Sequence, residues 1–334
     1  MADVTPRPGR REHGPTDRDR GQLILVTGLA IAVMLVALVL LLNTVIYTQN
    51  LATRGADVDD RAAVEFQQAV VEGVGEVIDA ENRAEYGNSA KVEANVTDGI
   101  DRYDALASRY HTEQSTVAYV DRETVSLSDG ALLRQTDASR DFTNAGGGAG
   151  DWTLVEGAGA GNAPGVRDAT ITVSREDLSD SAGSGFALQL SGDADNDWRV
   201  RLYDDGGAVT VAVKNGSESL ETGVCSAAGP EATVDLTAGT LNGSACPQLA
   251  WATGVSAPYD VEFVNGAEAT GTYALTVHNG SATTDVRTDN FESPDAGASP
   301  RAAAAVYAAE FAVHFRTPDL TYRTTVRVAP GEPA

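Results

Sequence analysis

Lysine is nearly missing from this chain. Of 24 basic residues only Lys91 and Lys214 are lysines, set against 48 acids and a formal net charge of −24. A surface this acidic repels phosphate, so nucleic acid is excluded as a partner and anionic lipid headgroups repel the body as a whole. Cysteine is limited to Cys225 and Cys246. The four histidines, His13, His111, His278 and His314, lie far apart and none neighbours a cysteine. No Gly-x-Ser-x-Gly elbow, His-Glu-x-x-His pair or phosphate-binding Gly-Lys-Ser/Thr loop occurs, and no carboxylate pair stands out among so many acids. Catalytic residues, metal ligands and cofactors are therefore all expected to be none, and the expected class is non-enzymatic. Charge is also absent from Gln22 to Thr53, and proline from Pro15 to Pro164. The first gap leaves room for a membrane span, and the second for long helices that no imino acid interrupts.

Within the uncharged stretch, Leu23 to Leu42 is apolar except for Thr27 and Gly28. Twenty residues at ~1.5 Å each span about 30 Å, the thickness of a bilayer's hydrocarbon core. A cleaved secretory signal has a shorter apolar core and small residues at its cut. Here Asn43-Thr44-Val45-Ile46-Tyr47 follows instead. The Arg10-Arg11 pair is too distant from the apolar run for a twin-arginine signal. Arg7, Arg10, Arg11, Arg18 and Arg20 outnumber the four acids before Gln22 and hold that end in the cytoplasm. The expected location is a single-pass protein of the cell membrane, with the lipid bilayer as partner, its N-terminus cytoplasmic and its C-terminal domain extracellular.

Arg20-Gly21-Gln22-Leu23, a basic residue and a glycine directly before the apolar helix, resembles the processing site of archaeal type IV prepilins. Gly21 through Gly28 carries the same likeness to pilin-like membrane proteins of haloarchaea, and an Asp/Glu-rich, Lys-poor composition looks like that of proteins from salt-accumulating archaea. The resemblance implies cleavage after Gly21 by a prepilin peptidase, with Arg20 and Gly21 as recognition residues and Gln22 as the new terminus. It also implies other pilin-like subunits as partners. The glutamate that bacterial pilins carry near the mature N-terminus has no counterpart, since Val26 and Thr27 occupy that region. The alternative is an unprocessed single-pass membrane protein with an extracellular binding or structural β domain.

Leu51, Val58, Ala62, Phe66, Val70, Val74 and Ile78 recur at spacings of seven and four, an apolar stripe along a helix whose other faces are acidic. One long helix is expected from about Leu23 to about Ala80, loosened near its end by Gly73 and Gly75. A second helix is expected from Val96 to about Glu113, capped by Thr97 or Asp98, with Ile100, Tyr103, Leu106 and Tyr110 along one side. From Ser115 the apolar period changes to two. Expected strands are Thr116–Val120, Ala169–Val173, Phe186–Leu190, Trp198–Tyr203, Ala208–Val213, Tyr259–Phe263 and Thr272–Val277, with two long closing strands on either side of Thr317-Pro318-Asp319. The Ala-rich stretch 301–309 fits a strand or a helix. The expected fold class is α+β, a long N-terminal transmembrane or pilin-like helix followed by an antiparallel β-sandwich-like domain. Its expected parts are a leader over 1–21, a transmembrane helix over 22–46, helical extensions over 47–114 and a β domain over 115–330.

The two cysteines form one expected disulfide outside the cell, worth about 3 kcal/mol through the unfolded state. Asn95, Asn215, Asn242 and Asn279 head Asn-x-Ser/Thr sequons and are glycosylation candidates. Asp193-Ala-Asp195-Asn196-Asp197 is spaced like the opening of a calcium loop, but Trp198 stands where the turn glycine belongs, and a crowded acidic turn is expected instead. The glycine-rich 144–165 stretch lacks lysine and is expected to be a surface loop.

Overall fold

The computed structural model describes residues 60–146, 148–159, 165–192, 196–216, 218, 222–280, 284–293 and 299–333, together with Ile31, Met34, Leu35, Leu38 and Val39. Two units are distinguished, Met1–Ala62 and Ala63–Ala334. In the first, the five apolar residues just named are helical and exposed. The remainder of the expected span over 22–46 and the processing residues Arg20, Gly21 and Gln22 lie outside the described residues. Among the described residues no helix is long and apolar enough to cross a membrane.

The second unit is two antiparallel sheets with helices on one of them. Its strands are β1 (Val117–Gln135), β2 (Trp152–Ala158), β3 (Val166–Ser174), β4 (Phe186–Ser191), β5 (Asp197–Asp204), β6 (Ala208–Lys214), β7 (Thr222–Ala228), β8 (Glu231–Asp235), β9 (Thr240–Leu241), β10 (Ser244–Ala245), β11 (Tyr259–Val264), β12 (Gly271–His278), β13 (Asp285–Val286), β14 (Arg301–Arg316) and β15 (Thr321–Val328). The eight-stranded sheet runs β10-β9-β8-β3-β12-β1-β14-β15 and the seven-stranded sheet β13-β2-β11-β4-β5-β6-β7. Between them lies the core, where Leu133, Val166, Ile171, Val173, Tyr273 and Leu275 of the first meet Leu154, Leu188, Trp198, Val200, Val211 and Phe263 of the second. Phe142 stacks on Phe186 at 4.4 Å and meets Phe263 edge-on at 5.8 Å. The β-sandwich-like part of the expected fold class is thus present, and so is its disulfide. Cys225 in β7 bonds Cys246, just after β10, with Cα atoms 6.1 Å apart, so the bridge joins edge strands of opposite sheets.

Helix α1 is described over residues 60–83, and α2 spans Ser89–Glu113. The stripe Phe66, Val70, Val74 and Ile78 is fully packed, as its period requires. Beneath the helix pair lie Ala118 and Val120 of β1 with Val313 and Phe315 of β14, buried and paired across the ladder. Phe66 lies 5.9 Å from Phe315, and His111 of α2 sits edge-on to both at 5.0 and 6.0 Å. Burial holds the His111 imidazole below its ordinary pKa.

Several expectations are corrected. Helix α2 starts seven residues before Val96, because Asn88 in extended conformation accepts from the Lys91 amide and caps it. Its buried stripe is Val92, Val96, Ile100 and Asp104, which leaves Leu106 and Tyr110 exposed instead of packed. Asp104 is buried because its carboxylate accepts from the Val120 amide at 2.7 Å and from the Ser108 hydroxyl at 3.2 Å. Gly73 and Gly75 do not loosen α1, which continues to residue 83. Gly73 instead leaves space for the Tyr103 ring of α2, whose hydroxyl donates to the Ala69 carbonyl at 2.7 Å. The expected strand 116–120 continues to Gln135, since its polar middle residues pair with β14 through a register irregularity. The 144–165 stretch is not all loop. Trp152, Leu154 and Val155 in it are buried in β2, and the Trp152 indole donates to the Phe142 carbonyl at 2.8 Å. The stretch 301–309 is strand, paired residue for residue with β1 over 301–306.

Polar groups tie α1 to the sheet. A second irregularity, between Ser128 and Asp129, leaves Tyr307 as an extra residue in β14. The Asn82 side chain bonds Val306 as a strand would, donating to its carbonyl at 2.9 Å and accepting from its amide at 2.8 Å. Arg167 of β3, fully buried, donates to the Tyr307 carbonyl at 2.8 Å, the Val306 carbonyl at 3.1 Å, the Pro330 carbonyl at 2.8 Å and the Asp79 carboxylate of α1 at 3.1 Å. Glu85, just past α1, takes Arg301 at 2.7 and 2.9 Å and Arg134 at 2.8 Å. Each charge is paired, as burial demands.

The close approach of the helices sets a test. A Cβ on Gly73 would stand 2.2 Å from a Tyr103 ring carbon, whereas one on Gly87 would meet nothing within 4 Å. Gly73→Ala is expected to lose roughly 1–3 kcal/mol in denaturant unfolding through overpacking, while Gly87→Ala stays within about 0.5 kcal/mol of the parent.

Candidate functional site

On the face of the seven-stranded sheet turned away from the core, register places polar side chains in one row. Thr153 of β2 stands opposite Glu262 of β11, Glu262 opposite Gln189 of β4, Gln189 opposite Arg199 of β5, and Arg199 opposite Lys214 of β6. These positions alternate with Leu188, Leu190, Val200 and Val213, which point inward, so period-two patterning itself projects the row outward. Hydrogen bonds knit it together. Thr153 donates to Glu262 at 3.2 Å, Ser191 to Glu262 at 2.9 Å, Gln189 to Ser191 at 2.9 Å and Arg199 to Gln189 at 2.7 Å. Asp197 closes the line, accepting from Arg199 at 3.2 Å and from Lys214.

Beside this row lies a cleft of about 440 Å³ lined by Gln189, Ser191, Gly192, Asn196, Asp197 and Lys214. It offers amide, hydroxyl, ammonium and carboxylate groups within one small area, suited to a polar, hydroxyl-bearing ligand rather than an apolar one. None of these six is a histidine or cysteine. Two further clefts differ in character. One of about 360 Å³ on the eight-stranded sheet is lined by Arg134, Thr136, Thr170, Thr172 and Thr272, and one of about 390 Å³ between α1 and the C-terminal segment by Val71, Gly75, Asp79, Val328 and Pro330.

The residues singled out in the sequence scatter. Asp193 and Asp195 of the calcium-like cluster lie outside the described residues, and Asp197 is already bound to two cations. Among the described residues no group of three or more His, Cys, Asp or Glu is placed to hold a metal ion. Of the sequon residues, Asn242 is exposed in the β9–β10 turn with left-handed φ, and Asn279 is exposed after β12. Asn95 is half-buried within α2, and Asn215 is half-buried at the end of β6. Sequence reading missed the row because Glu262, Gln189, Arg199 and Lys214 are distant in the chain. The one local signal was that each is the polar member of an alternating strand.

Residues 17–145 match the model of a family of unknown function (DUF7261), a stretch that takes in α1, α2 and β1. No curated protein and no solved structure matches the chain.

Lys214 and Asp197 are both mostly buried, with side chains 18% and 16% exposed. Lys214→Met is therefore expected to cost at least about 1 kcal/mol in urea unfolding, with Arg199 still pairing Asp197, and the loss is expected to change little between low salt and about 1 M salt, because a mostly buried pair is screened far less than an exposed one.

Proposed function

We propose that the chain is a non-enzymatic, pilin-like cell-surface subunit, held in the membrane by its N-terminal apolar helix and assembled with like subunits into a filament or surface complex. The observation that carries this reading is the sequence Arg20-Gly21-Gln22 directly before a stretch without charge to Thr53. The packing of α1 along the eight-stranded sheet supports it, since a helix laid on the sandwich from residue 63 onward is the head arrangement such a subunit needs. The body faces the cell exterior in this reading, consistent with its disulfide and with Asn242 and Asn279 exposed as glycan acceptors. Its partners are the lipid bilayer, a prepilin peptidase and other subunits of the same kind.

A second reading, an unprocessed single-pass protein whose β domain binds a ligand, is favoured by the polar row and its adjoining cleft of about 440 Å³. Mass spectrometry of the N-terminus of protein isolated from its native membrane separates the two. A terminus at Gln22, with residues 1–21 removed, is the expected result; an intact leader on the mature protein overturns the pilin reading in favour of the second.

A further inference from the structure

Among the described residues of the second unit, the large apolar side chains left exposed are Val64, Leu106, Tyr110, Val117 and Tyr119. They share one end of this unit. Gly99 of α2 lies against Val77 of α1, and Tyr103 against Gly73 and Ala69, so the helices run antiparallel and the last turns of α2 sit beside the first turns of α1. Helix α2 leads through Gln114–Thr116 into the start of β1, where Val117 and Tyr119 pair with Arg316 and His314 at the end of β14. His314 and Arg316 pair in turn with Arg323 and Thr321 at the start of β15.

The five residues surround this end instead of forming a patch on one side. Val64 precedes buried Phe66 by two positions, about 200° around the helix, and faces away from the sheet. Leu106 and Tyr110 lie one turn apart on α2, 73% and 61% exposed. Val117 and Tyr119 alternate with Ala118 and Val120, which lie beneath α2, and so project from the opposite face of the sheet. Tyr119 stacks on His314 at 4.7 Å. A protein partner docking from one direction covers one face. A flat layer entered end-on touches all three.

We infer that this end of the sandwich unit rests in the headgroup layer of a phospholipid membrane, with Tyr110 and Tyr119 as interfacial anchors. Tyrosine suits that zone, its ring reaching apolar depth while the hydroxyl stays hydrated. Arg109 and Arg323, 81% and 61% exposed, flank the two tyrosines, each already paired with a carboxylate, Glu113 at 3.4 Å and Asp121 at 3.7 Å. Acids lie among these residues too, Glu65, Glu113 and Asp121, so it is the apolar and tyrosine side chains, not net charge, that favour this end entering the interface. The tether also fits. Residue 60, where α1 begins to be described, is separated from the apolar run ending at Leu42 by residues 43–59, which reach at most about 60 Å. This inference rests on the membrane-anchored reading above.

The test uses the full chain in phosphatidylcholine–phosphatidylglycerol vesicles, with Tyr119→Trp and Tyr110→Trp as separate variants and lipids brominated high on the acyl chain as quenchers. Trp152 and Trp198, buried in the sandwich core, together with Trp251 give the reference signal in the parent. The expected result is that the fluorescence added by either new tryptophan falls about twofold with brominated lipid, as for a side chain roughly 5–10 Å into the headgroup boundary, while the parent signal is unchanged. If the protein floats with the vesicles and the added signal is not quenched, the inference is overturned and the anchor stands. Protection of the new tryptophans from aqueous iodide that grows with protein density, without lipid quenching, overturns it in favour of a second copy covering this end. Failure to float overturns the anchored reading and the inference with it.

Discussion

A fully buried guanidinium holds this molecule's two kinds of structure together. Arg167 starts on β3, crosses the eight-stranded sheet, and divides its donors among two carbonyls at the Tyr307 irregularity, the Pro330 carbonyl and the Asp79 carboxylate. The Tyr307 carbonyl belongs to the extra residue of the bulge, the Val306 carbonyl is shared with the Asn82 amide, and an unpaired buried carbonyl or charge costs several kcal/mol. Bulge, arginine and aspartate therefore require one another. Asp79 is on α1, so satisfying the sheet also fixes the helix. Nearby Asp168 feels the same crowding, its carboxyl raised above the ordinary range first by burial and then by the charge of Asp79.

The rest of the architecture follows from β1 and β14 serving two layers. Over 131–135 β1 packs within the sandwich, and over 117–120 it lies under α2. The two layers need different surfaces, which is why β14 carries small alanines over 302–305 and large Phe311 and Phe315 further on. The α1–α2 pair closes over the sheet only because Gly73 and Gly99 admit the Tyr103 ring and the Val77 side chain. The same end, where the sheet has helices on one face and no second layer is needed on the other, is where apolar side chains reach the surface.

Much of the sandwich was legible because alternation is a local signal. The hairpin from Trp198 through Asp204-Asp-Gly-Gly207 to Val213 and the closing pair around Pro318 are both as expected. The apolar stripe of α1 was legible from Phe66 to Ile78 for the same reason. What escaped depends on distant partners. Asp104 reads as a solvent-facing acid until the Val120 amide is placed beside it, and the face of α2 then rotates so that Leu106 and Tyr110 are exposed. Trp152 and Leu154 were hidden by surrounding glycines, although each has a buried place in β2. The polar row likewise exists only after five strands are paired in register, and nothing along the chain relates Glu262 to Lys214.

If the helix is held to the sheet through the Arg167 and Asp79 pair, weakening that pair must free α1 before the sandwich. Native-state hydrogen exchange on the full-length Asp79→Asn variant measures this directly. Amides of α1 over 66–80 are predicted to exchange at least about tenfold faster than in the parent, a loss of roughly 1.4 kcal/mol in local opening, with β4 and β5 unchanged. Equal protection of α1 in variant and parent contradicts the account.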